Sequence, residues 1–212
     1  MRLGMKWLCS IAEGVLSDDD FQLLLADNPA HHAPQWHQFG VLGHTNAVIV
    51  EARRLSEHSG IDIVDLAVLH DAGKIQQFPR AFKLFRLGED PARAFIGHEA
   101  KSAVLAEALG VDDLSCLVIK HHDLAYLPAK AQTIVNLLKS SHRSIRKWFL
   151  LCAADGVGKG WTENQKAQRP EIPKKFLEVA CFAGIPSDDP VLELASRAVT
   201  EWDPVIPPSF WG

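Results

Sequence analysis

The stretch from Leu66 to Lys74 constrains this chain more than any other, because an apolar run ends there in an imidazole beside a carboxylate, His70 and Asp71. Burying either group is costly unless a partner satisfies it. A metal ion is the simplest partner for both, since imidazole and carboxylate are ligand types that hold zinc, manganese, iron, nickel or magnesium. Lys74 follows one helical turn after His70, where its ammonium can meet an anion brought to that metal.

The residues around this doublet predict a short helix. Ile63, Leu66 and Leu69 recur at helical intervals. Asp62 is a suitable N-cap, and Gly73 is a suitable residue for ending the helix. We therefore expect the imidazole and the carboxylate in the final turn of that helix.

Five further candidate ligands lie in or beside apolar segments with a helical pattern: His44, His98, His121, His122 and Asp155. Along the chain, each candidate group is separated from the next by 22 to 33 residues. That spacing fits one helix plus one connection, so successive helices of a bundle can each bring a ligand to one central point. The pattern predicts an all-α protein built around a metal site.

In this order the residues resemble the HD superfamily of metal-dependent phosphohydrolases. His44, the doublet His70-Asp71 and Asp155 match the motif order of that superfamily, and His98 with His121-His122 match the extra positions of its two-metal members. A closer likeness is to the C-terminal HD domain of bacterial tRNA nucleotidyltransferases, the CCA-adding enzymes.

Seven phrases carry the closer likeness, and they run in the order of that family from about Pro34 to Gly160. They are Gln35-Trp36-His37, Gly43-His44-Thr45, His70-Asp71-Ala72-Gly73-Lys74, Gly97-His98-Glu99, His122-Asp123-Leu124, Thr133-Ile134-Val135 and Ala154-Asp155-Gly156-Val157-Gly158-Lys159. The resemblance implies an HD-domain-like helical bundle. We expect one domain over residues 1–212, with its core at 34–160 and with C-terminal helices and a Pro-rich aromatic tail at 161–212.

The resemblance also implies a site and a reaction. One divalent ion is expected on His44, His70, Asp71 and Asp155, and a second on His98 and His122, with Asp71 bridging and with or without His121. The ion is Mn²⁺, Mg²⁺, Ni²⁺, Co²⁺, Zn²⁺ or Fe²⁺, one or two per chain, and it would make a bound water available for attack on phosphorus. Asp71 and Lys74 are the expected catalytic residues. The expected substrate is a small nucleotide-type phosphomonoester or 2′,3′-cyclic phosphodiester.

Two other functions remain open on the sequence. HD-like bundles can serve as non-catalytic modules that bind nucleotide or RNA, and the same ligand types hold iron in diiron oxygenases. The adjacent histidines also leave a choice, because neighbouring helical residues point about 100° apart. His122 is the better match to the family phrase, since Asp123-Leu124 follow it, and His121 would then complete or support the shell.

Segments outside the ligand set carry weaker predictions. A short helix is expected from Met1 to Val15, and Ser17 with Asp20 forms a capping box for the next helix. The three consecutive aspartates from Asp18 lack the Gly-rich strand and turn of a nucleotidyltransferase, so the nucleotide-adding head is not expected. Residues 76–96 interleave aromatics with arginines and are either a mobile cover for an anionic substrate or an amphipathic connector.

The histidines of the Pro-containing loop 28–40 are also given a role. We expect His31 and His32 to be exposed, and we expect His37, which matches the family phrase, to form a wall of the site.

Composition excludes several classes of protein. The net charge of −4 gives no basic field, so strong nonspecific binding of nucleic acid is not expected. The four cysteines match no zinc or CxxC spacing, which favours reduced thiols in a cytoplasmic protein. No apolar run approaches the roughly 18 residues of a membrane helix. The tail from Trp202 to Trp211 either packs on the bundle or forms a homodimer contact.

Overall fold

The structure is a computed structural model that describes residues 3–203, and every regular element in that range is helical. The α-helices are α1 (Met5–Val15), α2 (Asp18–Leu25), α3 (Val41–Ser59), α4 (Val64–Leu69), α5 (Gly73–Arg86), α6 (His98–Ala108), α7 (Asp113–Lys120), α8 (Ala131–Leu137), α9 (His142–Gly158), α10 (Glu163–Gln168), α11 (Glu171–Ala183) and α12 (Pro190–Glu201). Short 3-10 helices form at Pro29–His31, Pro91–Phe95 and His122–Ala125. The prediction of an all-α helical bundle is confirmed.

Helices α3 and α9 form the centre of the bundle. They pack against each other, and α12 covers both. Helix α9 is buried on all sides from Lys147 to Gly158, as expected for a helix that is apolar around most of its circumference. Trp148 and Phe149 pack against Phe176 of α11, with ring centroids 5.7 and 5.2 Å apart. Any residue that faces inward from α3 or α9 therefore lies away from solvent.

Local capping explains where several of these helices begin. Ser17 precedes α2, and its hydroxyl accepts a hydrogen bond from the backbone N–H of Asp20 at 3.2 Å, as the predicted capping box requires. Asp112, Ser141 and Thr162 cap α7, α9 and α10 in the same way. These side chains satisfy N–H groups that have no partner inside the helix.

The predicted role of Gly73 as a helix stop is wrong. Helix α4 ends at Leu69, and Gly73 instead begins α5. A Cβ atom at Gly73 would lie 2.3 Å from the carbonyl oxygen of His98, so glycine is required by the close approach of α5 to the start of α6. This approach places the doublet between α4 and α5 beside the first residue of α6.

Residues 76–96 form most of α5 and the 3-10 helix Pro91–Phe95, and the two helices pack against each other. Phe78 and Phe95 are buried. The three arginines of the segment, Arg80, Arg86 and Arg93, are exposed.

Two sequence predictions concern the ends of the chain. The first helix begins at Met5, later than predicted. Most of the Pro-rich aromatic tail, from residue 204 onward, lies outside the described residues, although Trp202 stacks beneath the guanidinium of Arg54 at 4.0 Å. None of the helices within residues 3–203 combines the length and the apolar character needed to cross a membrane.

Candidate metal centre

Six of the seven predicted ligands meet inside the bundle. Helix α3 supplies His44, and the turn after α4 supplies His70 and Asp71. His98 is the first residue of α6, and His122 is the first residue of the 3-10 helix that follows α7. Helix α9 supplies Asp155. All six side chains are buried. The structure therefore brings together residues that are more than a hundred positions apart in the sequence.

Asp71 lies at the centre of this cluster. One of its carboxylate oxygens faces His44 and His70, which belong to the first half of the site, and the other faces His98 and His122, which belong to the second half. Its Oδ2 atom is 3.4 Å from Nε2 of His44 and 3.5 Å from Nε2 of His70. Its Oδ1 atom is 2.8 Å from Nε2 of His98 and 3.9 Å from Nε2 of His122. A carboxylate placed in this way can bridge two cations.

The first half consists of His44, His70 and Asp155. The two Nε2 atoms are 3.3 Å apart, and Oδ1 of Asp155 lies 3.1 Å from that of His44 and 3.9 Å from that of His70. Donor atoms bound to one ion at about 2.0 to 2.2 Å are themselves roughly 3 to 4 Å apart. The three side chains thus have the separations that a single divalent ion requires.

The second half consists of His98, His122 and Asp123. The carboxylate of Asp123 lies 3.3 Å from Nε2 of His122 through Oδ1 and 3.9 Å from Nε2 of His98 through Oδ2. Sequence reasoning used Asp123 only to choose between the adjacent histidines. The sequence did contain one indication that Asp123 could be a ligand. It directly follows the candidate ligand His122 in a phrase that matches the family.

Each histidine of the two groups turns the same ring nitrogen toward the cluster. The Nδ1 atoms of His70, His98 and His122 lie 2.7, 2.9 and 2.7 Å from backbone carbonyl oxygens, and that of His44 lies 3.2 Å from the carbonyl of Gly158. A carbonyl oxygen can accept a hydrogen bond but cannot donate one, so these contacts assign the proton to Nδ1. The lone pair of Nε2 is then free to bind a metal.

Several atoms in the cluster that could bind a metal have no hydrogen-bond partner among the described residues. They are Oδ1 of Asp71, Nε2 of His98 and Oδ1 of Asp155, all of them buried. Buried polar atoms without partners are rare because each costs about 1 to 3 kcal/mol. A cation between the facing lone pairs removes that cost, so the residues present fit a divalent metal.

The electrostatics keep the carboxylates ionised. Burial raises the pKa of Asp71, but the charge of Lys74 and the neighbouring imidazoles outweigh it and hold that pKa well below its usual value. Burial likewise raises the pKa of Asp155, and the charge of Lys159 with the contact from His44 lowers it further than burial raises it. Both side chains are therefore in the form that binds metal.

The histidines divide into two kinds. Burial lowers the pKa of His70 to about 4, which leaves its imidazole neutral at pH 7. Burial also lowers the pKa of His44 and of His98, but the adjacent carboxylates outweigh burial and raise both above the usual value. Negative charge on the nearby carboxylates therefore favours the protonated form of these two imidazoles.

Two buried lysines accompany the cluster. Nζ of Lys74 donates to Oδ2 of Asp71 at 2.7 Å and to Nε2 of His32 at 3.0 Å. Nζ of Lys159, which sequence reasoning did not single out, lies 3.0 Å from Oδ2 of Asp155. Each ammonium therefore accompanies the carboxylate of a candidate ligand.

A cavity of about 300 Å³ adjoins the cluster. Its walls include side chains from both halves of the site and from α10: Trp36, His37, Asp71, Lys74, His122, Asp123, Tyr126, Leu127, Asp155, Lys159, Gln165 and Gln168. None of the three arginines of residues 76–96 belongs to these walls. The cavity gives a small molecule access to the ligands and to the two lysines.

The predicted exposure of His31 and His32 is wrong. His31 is buried among the rings of Phe78, Phe82 and Phe85. His32 is 1% exposed and stacks on His37, with ring centroids 3.9 Å apart. Burial lowers the pKa of both His32 and His37 well below the usual value, so this layer is neutral at pH 7.

His121 is the predicted ligand that the structure does not bring to the cluster. It follows α7 and is half-buried, and its backbone carbonyl accepts a hydrogen bond from the indole of Trp148 at 2.9 Å. It belongs to none of the three groups of facing donors among residues 3–203. Of the two adjacent histidines, His122 is therefore the one whose ring nitrogen faces the other ligands.

Comparisons with protein-family models, with curated proteins and with solved structures found no match for this chain. The resemblance to the HD superfamily stays a prediction from the motifs.

Proposed function

We propose that this protein is a metal-dependent phosphohydrolase with two divalent cations, acting on a small nucleotide-type phosphomonoester or 2′,3′-cyclic phosphodiester. The observation that carries the proposal is that Asp71 places one carboxylate oxygen beside His44 and His70 and the other beside His98 and His122. The motif order supports it, since six of the seven residues that match ligand positions of HD phosphohydrolases converge.

The chain's own residues have separate tasks in this reaction. His44, His70 and Asp155 would hold one cation, His98, His122 and Asp123 the other, and Asp71 both. Cations in such a pair lower the pKa of a coordinated water and offset negative charge on a phosphoryl group. Lys74 places a further positive charge beside Asp71. Hydrolysis then forms one bond from water oxygen to phosphorus, breaks the ester bond, and returns a proton to the released alcohol.

The size of the cavity limits the substrate. A volume of about 300 Å³ is at the lower end of the range for small-molecule sites. The net charge of −4 provides no general attraction for a polyanion. Both features favour a single small ester over a long nucleic acid.

The decisive experiment combines metal analysis with a substrate panel. Purified protein should contain divalent metal by elemental analysis, and it should hydrolyse chromogenic phosphate esters and nucleotide esters in a reaction that EDTA abolishes and added metal restores. Bound metal without turnover of any ester, cyclic nucleotides included, would instead support a non-catalytic binding module. Turnover that requires oxygen would support the iron oxygenase alternative, and an anaerobic assay separates the two chemistries.

A double variant tests whether the cluster is responsible. His70→Ala/Asp71→Ala removes a ligand from the first group and the shared carboxylate, so metal content and turnover should both be lost. The matched control is His58→Ala/Asp19→Ala, which removes the same residue types from exposed positions. Full activity and full metal content in the first variant would refute the proposed site.

A further inference from the structure

The walls of the cavity carry polar side chains that the proposed metal ligands do not account for. Besides Lys74, they include Lys159 from the C-terminal end of α9 and His37 from the loop before α3. Neither residue belongs to a group of facing metal donors. Both lie close to the place that a bound ester must occupy.

Lys159 is a buried cation whose partners also face the cavity. The side chain is 8% exposed. Its ammonium lies 3.0 Å from Oδ2 of Asp155 and 3.3 Å from the ring centroid of Tyr126. If a metal takes up the charge of Asp155, the ammonium is left against an aromatic face with protons to donate, and an anion in the cavity would be its natural partner.

His37 has a comparable excess of hydrogen-bonding capacity. Its ring is held on one side by stacking on His32 and on another by an edge contact with His44, with centroids 4.5 Å apart in the second case. Its Nδ1 atom is buried and has no hydrogen-bond partner among residues 3–203. The ring is thus fixed in orientation at the cavity wall, with one ring nitrogen that the protein leaves without a partner.

We infer that Lys159 and His37 form, together with Lys74, a subsite for the terminal phosphate of the substrate, and that this subsite makes the protein prefer phosphomonoesters over cyclic phosphodiesters. The inference rests on the proposed function and deepens it. A terminal phosphate offers three non-bridging oxygens, and a cyclic diester offers two. Three protein donors beside the cations match the larger number.

The charges favour the same substrate. The carboxylates of Asp71, Asp123 and Asp155 and the ammoniums of Lys74 and Lys159, which border the cavity, sum to one net negative charge. Two divalent cations would turn that into three net positive charges. A phosphomonoester dianion neutralises more of this buried charge than a diester monoanion does.

Binding of inorganic phosphate tests the subsite without any turnover. Isothermal titration with metal-loaded protein, freed of excess metal, should show that Lys159→Gln weakens phosphate binding by about tenfold or more, since a hydrogen bond between charged groups is lost. Lys159→Arg should recover most of the affinity. His37→Phe keeps a packed ring and should also weaken binding, whereas His37→Asn should be closer to the wild type. The control is Lys174→Gln, which removes an exposed lysine.

Elemental analysis of each variant separates loss of phosphate from loss of metal. Wild-type affinity in both Lys159→Gln and His37→Phe at unchanged metal content would overturn the inference, as would metal-loaded wild-type protein that binds no phosphate. If Lys159→Gln loses metal or fails to fold, the comparison of His37→Phe with His37→Asn decides alone.

Turnover measurements test the preference. The ratio of kcat/KM for a nucleoside monophosphate to that for a 2′,3′-cyclic nucleotide should exceed one and should fall in Lys159→Gln. A preference for the cyclic ester, or a ratio that Lys159→Gln leaves unchanged, would refute the preference. Phosphate binding without hydrolysis of any ester would uphold the subsite and refute the proposed function, so the two failures are distinguishable.

Discussion

At the scale of single residues, the chemistry depends on which atoms point inward. The backbone carbonyls that hold each Nδ1 direct four Nε2 lone pairs into the cluster. Asp71 completes the arrangement by dividing its two oxygens between the two groups. Exchange of one such side chain should therefore change the chemistry more than it changes the fold.

Lys74 provides the first test at this scale. Lys74→Ala removes the ammonium that donates to Asp71 but none of the proposed ligands. We expect turnover to fall by about 10² or more, as for the loss of a charge-stabilising donor, with metal content unchanged. Steady-state kinetics and elemental analysis on the same preparation check this. Loss of metal in parallel with activity would show that the lysine is needed for assembly of the site instead.

Asp123 tests the number of cations. Asp123 belongs to the group with His98 and His122, and Asp155 belongs to the group with His44 and His70. Asp123→Asn should lower the metal content from two equivalents per chain to one, and Asp155→Asn should do the same by emptying the other position. Elemental analysis under matched loading measures both. A single equivalent in the wild-type protein that Asp123→Asn leaves in place would contradict the two-cation arrangement.

At the scale of secondary-structure elements, the position of the ligands depends on close packing between helix ends. Gly73 begins α5 against the start of α6, where a Cβ atom would meet the carbonyl of His98. The backbone N–H of Gly73 also donates to the hydroxyl of Ser102 at 2.9 Å. The segment that follows Asp71 is therefore joined to α6, which supplies His98, by a contact that tolerates no side chain.

Gly73→Ala should separate these helices. We expect a loss of about 1 to 3 kcal/mol in the free energy of unfolding, from overpacking, together with weaker metal binding as His98 moves. The control is Gly14→Ala in α1, where a Cβ atom meets nothing within 4 Å. That substitution should be neutral or stabilise by about 0.5 to 1 kcal/mol, because alanine favours a helix over glycine. Urea denaturation compares the two, and equal stabilities would refute the role of the contact.

Asp189 caps the N-terminus of α12 and also joins this helix to α9 through an ion pair. Asp189 accepts hydrogen bonds from the backbone N–H groups of Val191 and Leu192, and it forms an ion pair with Arg146 of α9 at 2.6 Å. Burial raises the pKa of Asp189, but the contact with Arg146 and the backbone donors lower it below its usual value overall. Its contribution to stability is therefore present above about pH 4 and is lost as the pH falls through the lowered pKa.

Two substitutions separate those functions. Asp189→Ala should cost about 1 kcal/mol or more at pH 7, because both the cap and the ion pair are lost. Asp189→Asn keeps a capping oxygen and should cost less. The difference between wild type and Asp189→Asn should shrink as the pH is lowered below 4, which urea denaturation at several pH values measures. A difference that grows toward acid pH would contradict the assigned direction of the pKa shift.

At the scale of the whole molecule, the candidate metal ligands come from several parts of the bundle. They lie on α3, α6, α9 and the segments that follow α4 and α7. Cations bound there would add a further link between elements that already pack against one another. The stability of the fold should consequently depend on metal.

Chelation tests this dependence. A ligand present at one hundred times its Kd stabilises the native state by about 2.7 kcal/mol, so EDTA should lower the Tm of the metal-loaded protein by about 5 to 11 °C. Scanning calorimetry measures the change. The His70→Ala/Asp71→Ala variant should show no response to EDTA, and an unchanged Tm in wild-type protein would argue against a bound metal.

Much of the site could be predicted from sequence because its ligands carry distinctive chemistry at a spacing of one helix and one connection. His44, His70, Asp71, His98, His122 and Asp155 were all chosen on that basis. Lys159 was missed because a lysine one turn after an aspartate is usually a solvated helix neighbour, and only burial distinguishes it. Gly73 was misread because a glycine after an apolar run is more often a helix end than a point of close approach.

By itself, the sequence determined the all-α class and most of the side chains that converge in the candidate site, since helical periodicity, capping residues and ligand type are local properties of the chain. Only the tertiary structure decided that Asp71 faces both groups, that His122 and not His121 turns inward, and that His37 and Lys159 border the cavity. These outcomes depend on how helix ends meet across the bundle. Such contacts are fixed by packing between distant segments, which no local pattern records.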